Sequence, residues 1–99
     1  DLKALTQEGF NFKYWDLLID KYKRYNPNFM AYLETLNPDT TARQIDFCIL
    51  VKLGINNRVI ASALNISYET VITTKSRLKK HFNIDKDTSF DAFIEAIAS

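Results

Sequence analysis

Glycine, proline, cysteine and histidine are all scarce in this chain: two Gly, two Pro, one Cys and one His in 99 residues. So few glycines and prolines cannot supply the many tight turns of a β-sandwich or barrel, and an all-α fold is expected. The one cysteine, Cys48, excludes an internal disulfide framework and fits a reducing, cytoplasmic setting. His81 stands far from it in sequence, and no spacing suggests a metal site. No apolar run approaches the ~18 residues of a membrane span, and no basic-then-apolar signal segment opens the chain. A glycine-rich phosphate loop is absent, and Cys48 and His81 fall in different predicted helices with no motif at either. The expectation is a non-enzymatic domain with no cofactor, metal or small-molecule substrate.

Aromatic residues are plentiful: seven Phe, five Tyr and one Trp fill one small core, with 46% hydrophobic residues against 25% charged. Trp15, Tyr22, Phe29 and Tyr32 are assigned to that core. A chain that begins at Asp1 reads as a piece of something longer. The net charge is only +1, but it is unevenly spread. Residues 52–86 carry seven Lys/Arg (Lys52, Arg58, Lys75, Arg77, Lys79, Lys80, Lys86) against Glu69 and Asp85, whereas residues 87–99 carry three acids and no base. A localised positive surface is what polyanion binding requires.

Residues 1–11 show no period and read as a frayed lead-in. Phe12, Trp15, Leu18, Ile19 and Tyr22 mark a helix that Asn26-Pro27 stops, with Asn26 as N-cap and Pro27 as first residue of the next. Phe29, Tyr32, Leu33 and Leu36 give that helix its buried face. Thr41 and Gln44 form a capping box, and the body from Ile45 to Leu53 is apolar nearly all round, as suits the middle of a core. Gly54 is its left-handed stop. Asn56 caps a short helix over 57–64, and Ser67 caps another from Tyr68 to Phe82. In the latter Val71, Leu78 and Phe82, with Thr74, form a narrow apolar stripe. Thr88 with Asp91 suggests a cap for a last helix through Phe90, Phe93, Ile94 and Ile97. His81 is expected at the surface, Cys48 in the core, and Arg77 paired with an acid of the bundle.

The helices over 57–64 and 68–82 carry the functional signal. Ala61 and Ala63 let the second cross the first closely, and the second joins a narrow apolar stripe to a broad polar, basic remainder. That is the economy of a helix-turn-helix, in which one helix braces and the other enters a major groove.

The run TTARQIDFCILVKLGINNRVIASALNISYETVITTKSRLKKHFNI, residues 40–84, resembles the LuxR-type (FixJ/NarL-like) C-terminal DNA-binding domain of bacterial transcription regulators. The resemblance is ungapped and rests on Thr41 with Arg43, Gly54, Asn57, Ile60-Ala61, Leu64, Ile66-Ser67, Thr70-Val71 and Leu78. The aromatic-rich lead and the short helix that follows look like versions at the ends of larger Bacteroidetes regulators. The resemblance implies a helical bundle made of a helical lead (1–39), the helix-turn-helix (40–84) and a C-terminal helix (85–99), with 68–82 as recognition helix. It places Ile72, Thr73 and Ser76 at base edges. It places Asn57, Arg58, Ser67, Glu69, Thr70, Lys75, Lys79 and Lys80 at phosphates.

The sequence departs from the pattern at Val59, where the family has an acid, at Thr74 for His and at His81 for Lys. Ile72 and Ser76 stand where Lys or Arg often bond bases. Ile72 suits a thymine methyl, and Thr73 or Ser76 bonds either way, but none makes the bidentate guanine contact. The implied partners are double-stranded DNA, a second copy on DNA, and RNA polymerase. Two other readings remain: a helical protein-interaction module that keeps this fold, and an element like sigma-factor region 4.

Overall fold

Side-chain caps set where most of the helices begin. In a computed structural model that describes residues 8–98, α1 spans Glu8–Tyr25, α2 Pro27–Leu36, α3 Ala42–Lys52, α4 Asn57–Leu64, α5 Tyr68–His81 and α6 Phe90–Ala96. No strand occurs among the described residues, as expected of an all-α chain. The Thr41 capping box forms in full: Thr41 N–H donates to Gln44 Oε1 (2.8 Å), and Gln44 N–H donates to Thr41 Oγ1 (3.2 Å). Asn56 Oδ1 accepts from Val59 N–H and Ser67 Oγ from Thr70 N–H, each at 3.0 Å.

The helix ends share a second device. Gly54, Asn65 and Asn83 all adopt positive φ (79°, 57° and 56°). In each case the next residue's N–H reaches back five residues to a carbonyl of the last turn: Ile55 to Leu50, Ile66 to Ala61, Ile84 to Lys79. These are Schellman closures, which satisfy carbonyls left free by the last turn. The isoleucine after each turn packs, half-buried, on the core. Three successive helices, α3, α4 and α5, are thus ended by an apolar residue, a left-handed Gly or Asn, and an Ile.

Several expectations are corrected. Residues 8–11 are helical, so α1 begins earlier than its apolar period suggests; the remainder of the expected lead-in lies outside the described residues. Asn26 precedes Pro27 as expected but does not cap α2. Its Nδ2 donates backward to Tyr22 O (3.1 Å), closing α1 instead. Tyr32 is 43% exposed, because Phe29 and Leu33 alone turn α2's fully buried edge inward. The cap of α6 is Ser89, whose Oγ accepts from Ala92 N–H at 3.0 Å, while Thr88 closes a turn on Asp85 O.

One apolar core joins all six helices. α3 runs through it with Phe47, Cys48, Ile49, Leu50 and Val51 buried in succession, as an all-round apolar helix must. α4 packs most extensively on α5, α1 lies against α4, and α3 lies against α6. Polar links fasten the periphery. Lys23 pairs with Asp46 at 2.8 Å, tying α1 to α3. The Lys52 ammonium donates to Glu95 O (2.8 Å) and to Ile97 O, so a cation of α3 closes the carbonyl end of α6. No helix among the described residues is long and apolar enough to cross a membrane.

Candidate nucleic-acid interface

α4 and α5 are joined by Asn65-Ile66-Ser67, and the left-handed Asn65 turns the chain so that Ser67 can cap α5 at once. Ala61 and Ala63 are buried, which lets the two helices approach closely. Val71, Leu78 and Phe82 bury the inner edge of α5, and Thr74 joins them half-buried with its hydroxyl donating to Thr70 O. At about 100° per residue, Glu69, Thr73, Ser76 and Lys80 lie opposite that edge, with Ile72 beside them. All five are exposed, Ile72 at 45%. A single exposed isoleucine is ordinary on a protein surface, and here it gives a polar face one apolar group.

The residues expected at phosphates divide into groups. Arg58 and Lys80 are exposed, and the Arg58 guanidinium lies 5.5 Å from the ring centroid of Tyr68, a cation–π contact that steadies it at the joint of α4 and α5. Ser67 and Thr70 are exposed and occupied with each other, their hydroxyls 2.8 Å apart. Glu69 is exposed in the first turn of α5, where a carboxylate favours the helix dipole. Lys79 is half-buried and donates to Lys86 O (3.1 Å). With Ser76, Lys80, Asn83, Ile84 and Lys86 it lines a shallow depression at the C-terminal end of α5.

Lys75 and Asn57 meet each other. The Lys75 ammonium donates to Asn57 Oδ1 at 2.5 Å and pairs with Asp91 of α6 at 2.7 Å. Only 13% of the Lys75 side chain is exposed. It therefore points along the flank between α4 and α6, not out from the polar face. Tyr68, Asp91 and Lys86 belong to this surface although the resemblance singles out none of them. For Lys75 the signal is angular: it follows Val71 by four residues, about 40° around the helix from a fully buried position.

Three other residues differ from expectation or meet it: His81 and Arg77 differ, and Cys48 agrees. His81 is half-buried, not a free surface group: Nε2 lies 2.9 Å from Thr40 Oγ1 and Nδ1 3.3 Å from Asn37 Nδ2. Arg77 is exposed and bonds no acid among the described residues, since Thr70 and His81 share its side of α5. Cys48 is fully buried, as expected, and burial pushes its thiol up from 9.0 to about 12, which keeps it protonated and unreactive. Among the described residues no three His, Cys, Asp or Glu side chains gather as metal ligands. No family model, no curated protein and no solved structure matches this chain.

Proposed function

We propose that the domain binds double-stranded DNA, with α5 in the major groove, as the DNA-binding end of a LuxR-type transcription regulator acting in the cytoplasm. One observation carries the reading: α5 buries a single narrow edge and leaves Ile72, Thr73 and Ser76 exposed on the far side, flanked by Arg58, Lys79 and Lys80. A major groove about 12 Å wide accepts one helix presented in this way. Cations at the margins, Arg58 and Lys80 exposed and Lys79 half-buried, suit phosphates, and small polar and apolar groups at the centre suit base edges and thymine methyls. Most of the affinity then comes from phosphate contacts, with modest base discrimination from one domain. A second copy on an adjacent half-site about one helical turn away adds the rest.

The test is a fluorescence-anisotropy titration of the 99-residue chain with mixed duplex DNA at ~50 mM and ~200 mM salt, a range over which several phosphate contacts change affinity by orders of magnitude. Charge reversal belongs at Arg58→Glu with Lys80→Glu. Both side chains are exposed, whereas Lys75→Glu would set a carboxylate against Asp91 and disturb the fold. The expected result is steeply salt-dependent binding that the double variant loses while keeping its melting temperature. No binding by the unaltered chain at low salt refutes the proposal. The alternative, a helical protein-interaction module, is favoured by one observation: Tyr14, Leu17 and Tyr25 are 48%, 64% and 70% exposed on α1.

A further inference from the structure

The Lys75 node assigns a role to α6 that rests on the DNA-binding reading and goes beyond it. Among the described residues, Lys75 is the one cation of α4 and α5 that has a carboxylate partner. Its position about 40° from Val71 sends its stem along the flank of α5. Its ammonium lands between Asn57 Oδ1 (2.5 Å) and Asp91 Oδ1 (2.7 Å). An ammonium has three N–H donors, so one remains for a third acceptor.

Asp91 is not a loose surface acid. It follows the Ser89 cap and Phe90, which is buried; Ile94 is buried one turn on, and Lys52 closes the far end of the helix. The packing of α6 on α3 therefore fixes the backbone at Asp91, and the carboxylate, 51% exposed, reaches Lys75 from there. A phosphodiester that approaches this flank of α5 meets a cation already neutralised.

We propose that Asp91 is an internal competitor for the DNA backbone: it neutralises the lysine ammonium whose charge would otherwise draw a phosphate, so that α6 lowers the affinity of the domain. Asn57 is neutral and holds the same ammonium from the other side, so loss of the carboxylate charge leaves the lysine's positive charge uncompensated without casting the lysine loose. Asp91 is thus a positioning residue whose removal strengthens binding, the opposite sign from a residue that merely supports the interface.

The experiment is the same anisotropy titration on four chains: unaltered, Asp91→Asn, Lys75→Met, and both together, with Glu95→Gln as control for a lost surface charge on the same helix. Asp91→Ala serves as second variant should the asparagine destabilise α6, and thermal melts verify folding. The expected result is binding about five-fold tighter for Asp91→Asn at ~50 mM salt, with a log–log salt slope steeper by about 0.9, the value of one added phosphate contact. In the Lys75→Met background the same change shifts affinity less than about two-fold, as Glu95→Gln does, because only screened long-range charge is left. An equal gain in both backgrounds overturns the proposal, as does weaker binding by Asp91→Asn and Asp91→Ala. If the unaltered chain fails to bind DNA even at ~50 mM salt, the functional reading falls and takes this inference with it. If the unaltered chain binds and Asp91→Asn changes nothing, this inference alone falls.

Discussion

Asn37 is the residue at which the fold can be weakened without touching the exposed face of α5. It follows the last residue of α2, and its side chain makes a set of bonds that no neighbour can replace. Its Oδ1 accepts from Asp39 N–H (2.9 Å), and its Nδ2 donates to His81 O (2.9 Å) and faces His81 Nδ1 (3.3 Å). The two backbone partners fix which end of the amide is which. The Thr40 hydroxyl spends its one hydrogen on Asn37 O (2.6 Å), so at 2.9 Å it accepts from His81 Nε2. The network therefore assigns the proton of the neutral ring to Nε2 and leaves Nδ1 to accept from Asn37. Asn37→Ala removes two well-formed bonds and one long one. At about 1 kcal/mol for each good bond in a partly exposed site, the loss is about 2 kcal/mol. For a domain of this size that lowers the melting temperature by about 8–15 °C.

Urea denaturation gives the energy, and a long-range 15N–1H correlation gives the tautomer. His81 lies on the side of α5 away from Ile72, so DNA affinity well below the melting temperature is expected to stay as it was. A cost under about 0.5 kcal/mol, within the range of ordinary surface substitutions, would refute the network. So would a ring proton on Nδ1 at alkaline pH.

Gly54 gives a sharper test of the helix ends. A Cβ there meets nothing within 4 Å, so Gly54→Ala is charged only for its φ of +79°, about 1–2 kcal/mol. Gly54→Asn is expected to cost less, as Asn65 and Asn83 already hold that conformation; equal costs for Ala and Asn in urea denaturation would contradict this. Cys48 sets a pH dependence. Its folded thiol is held at about 12 against 9.0 when exposed, so above pH 9 the unfolded chain gives up a proton that the folded chain keeps. Stability relative to Cys48→Ala therefore falls as pH rises, by up to about 1.4 kcal/mol per unit, and a difference that stays flat from pH 8 to 10.5 would contradict the burial argument.

Much of the architecture was legible because the devices that start and stop these helices are local. Thr41 with Gln44, Asn56, Ser67 and Gly54 act on backbone groups within five residues, and each does in the structure what its position suggests. The repeated closures were equally open to reading, since Leu53-Gly54-Ile55, Leu64-Asn65-Ile66 and Phe82-Asn83-Ile84 are one pattern written three times. Asn26 and Tyr32 came out differently for a different reason. A polar side chain between two helices can close the first or open the second, and a tyrosine beside a buried stripe goes where the neighbouring helix leaves room. Local pattern decides neither.

The candidate interface divides along the same line. Which residues of α5 can face outward follows from helical geometry alone, and Thr73, Ser76 and Lys80 are exposed where that geometry puts them. What each cation meets is a tertiary fact. Counting charges over 52–86 treats Lys75 and Lys80 as equals, yet Lys80 stands opposite the buried edge and Lys75 beside it. The acid that meets Lys75 comes from the segment 87–99, which in sequence is only a separate negative tail. The two opposite charge blocks are thus not independent. The packing of α6 on α3 brings one acid of the second against one base of the first, so the positive surface is smaller than the composition of 52–86 implies. On the DNA-binding reading, that one ion pair is subtracted from the cations α5 can offer to a polyanion.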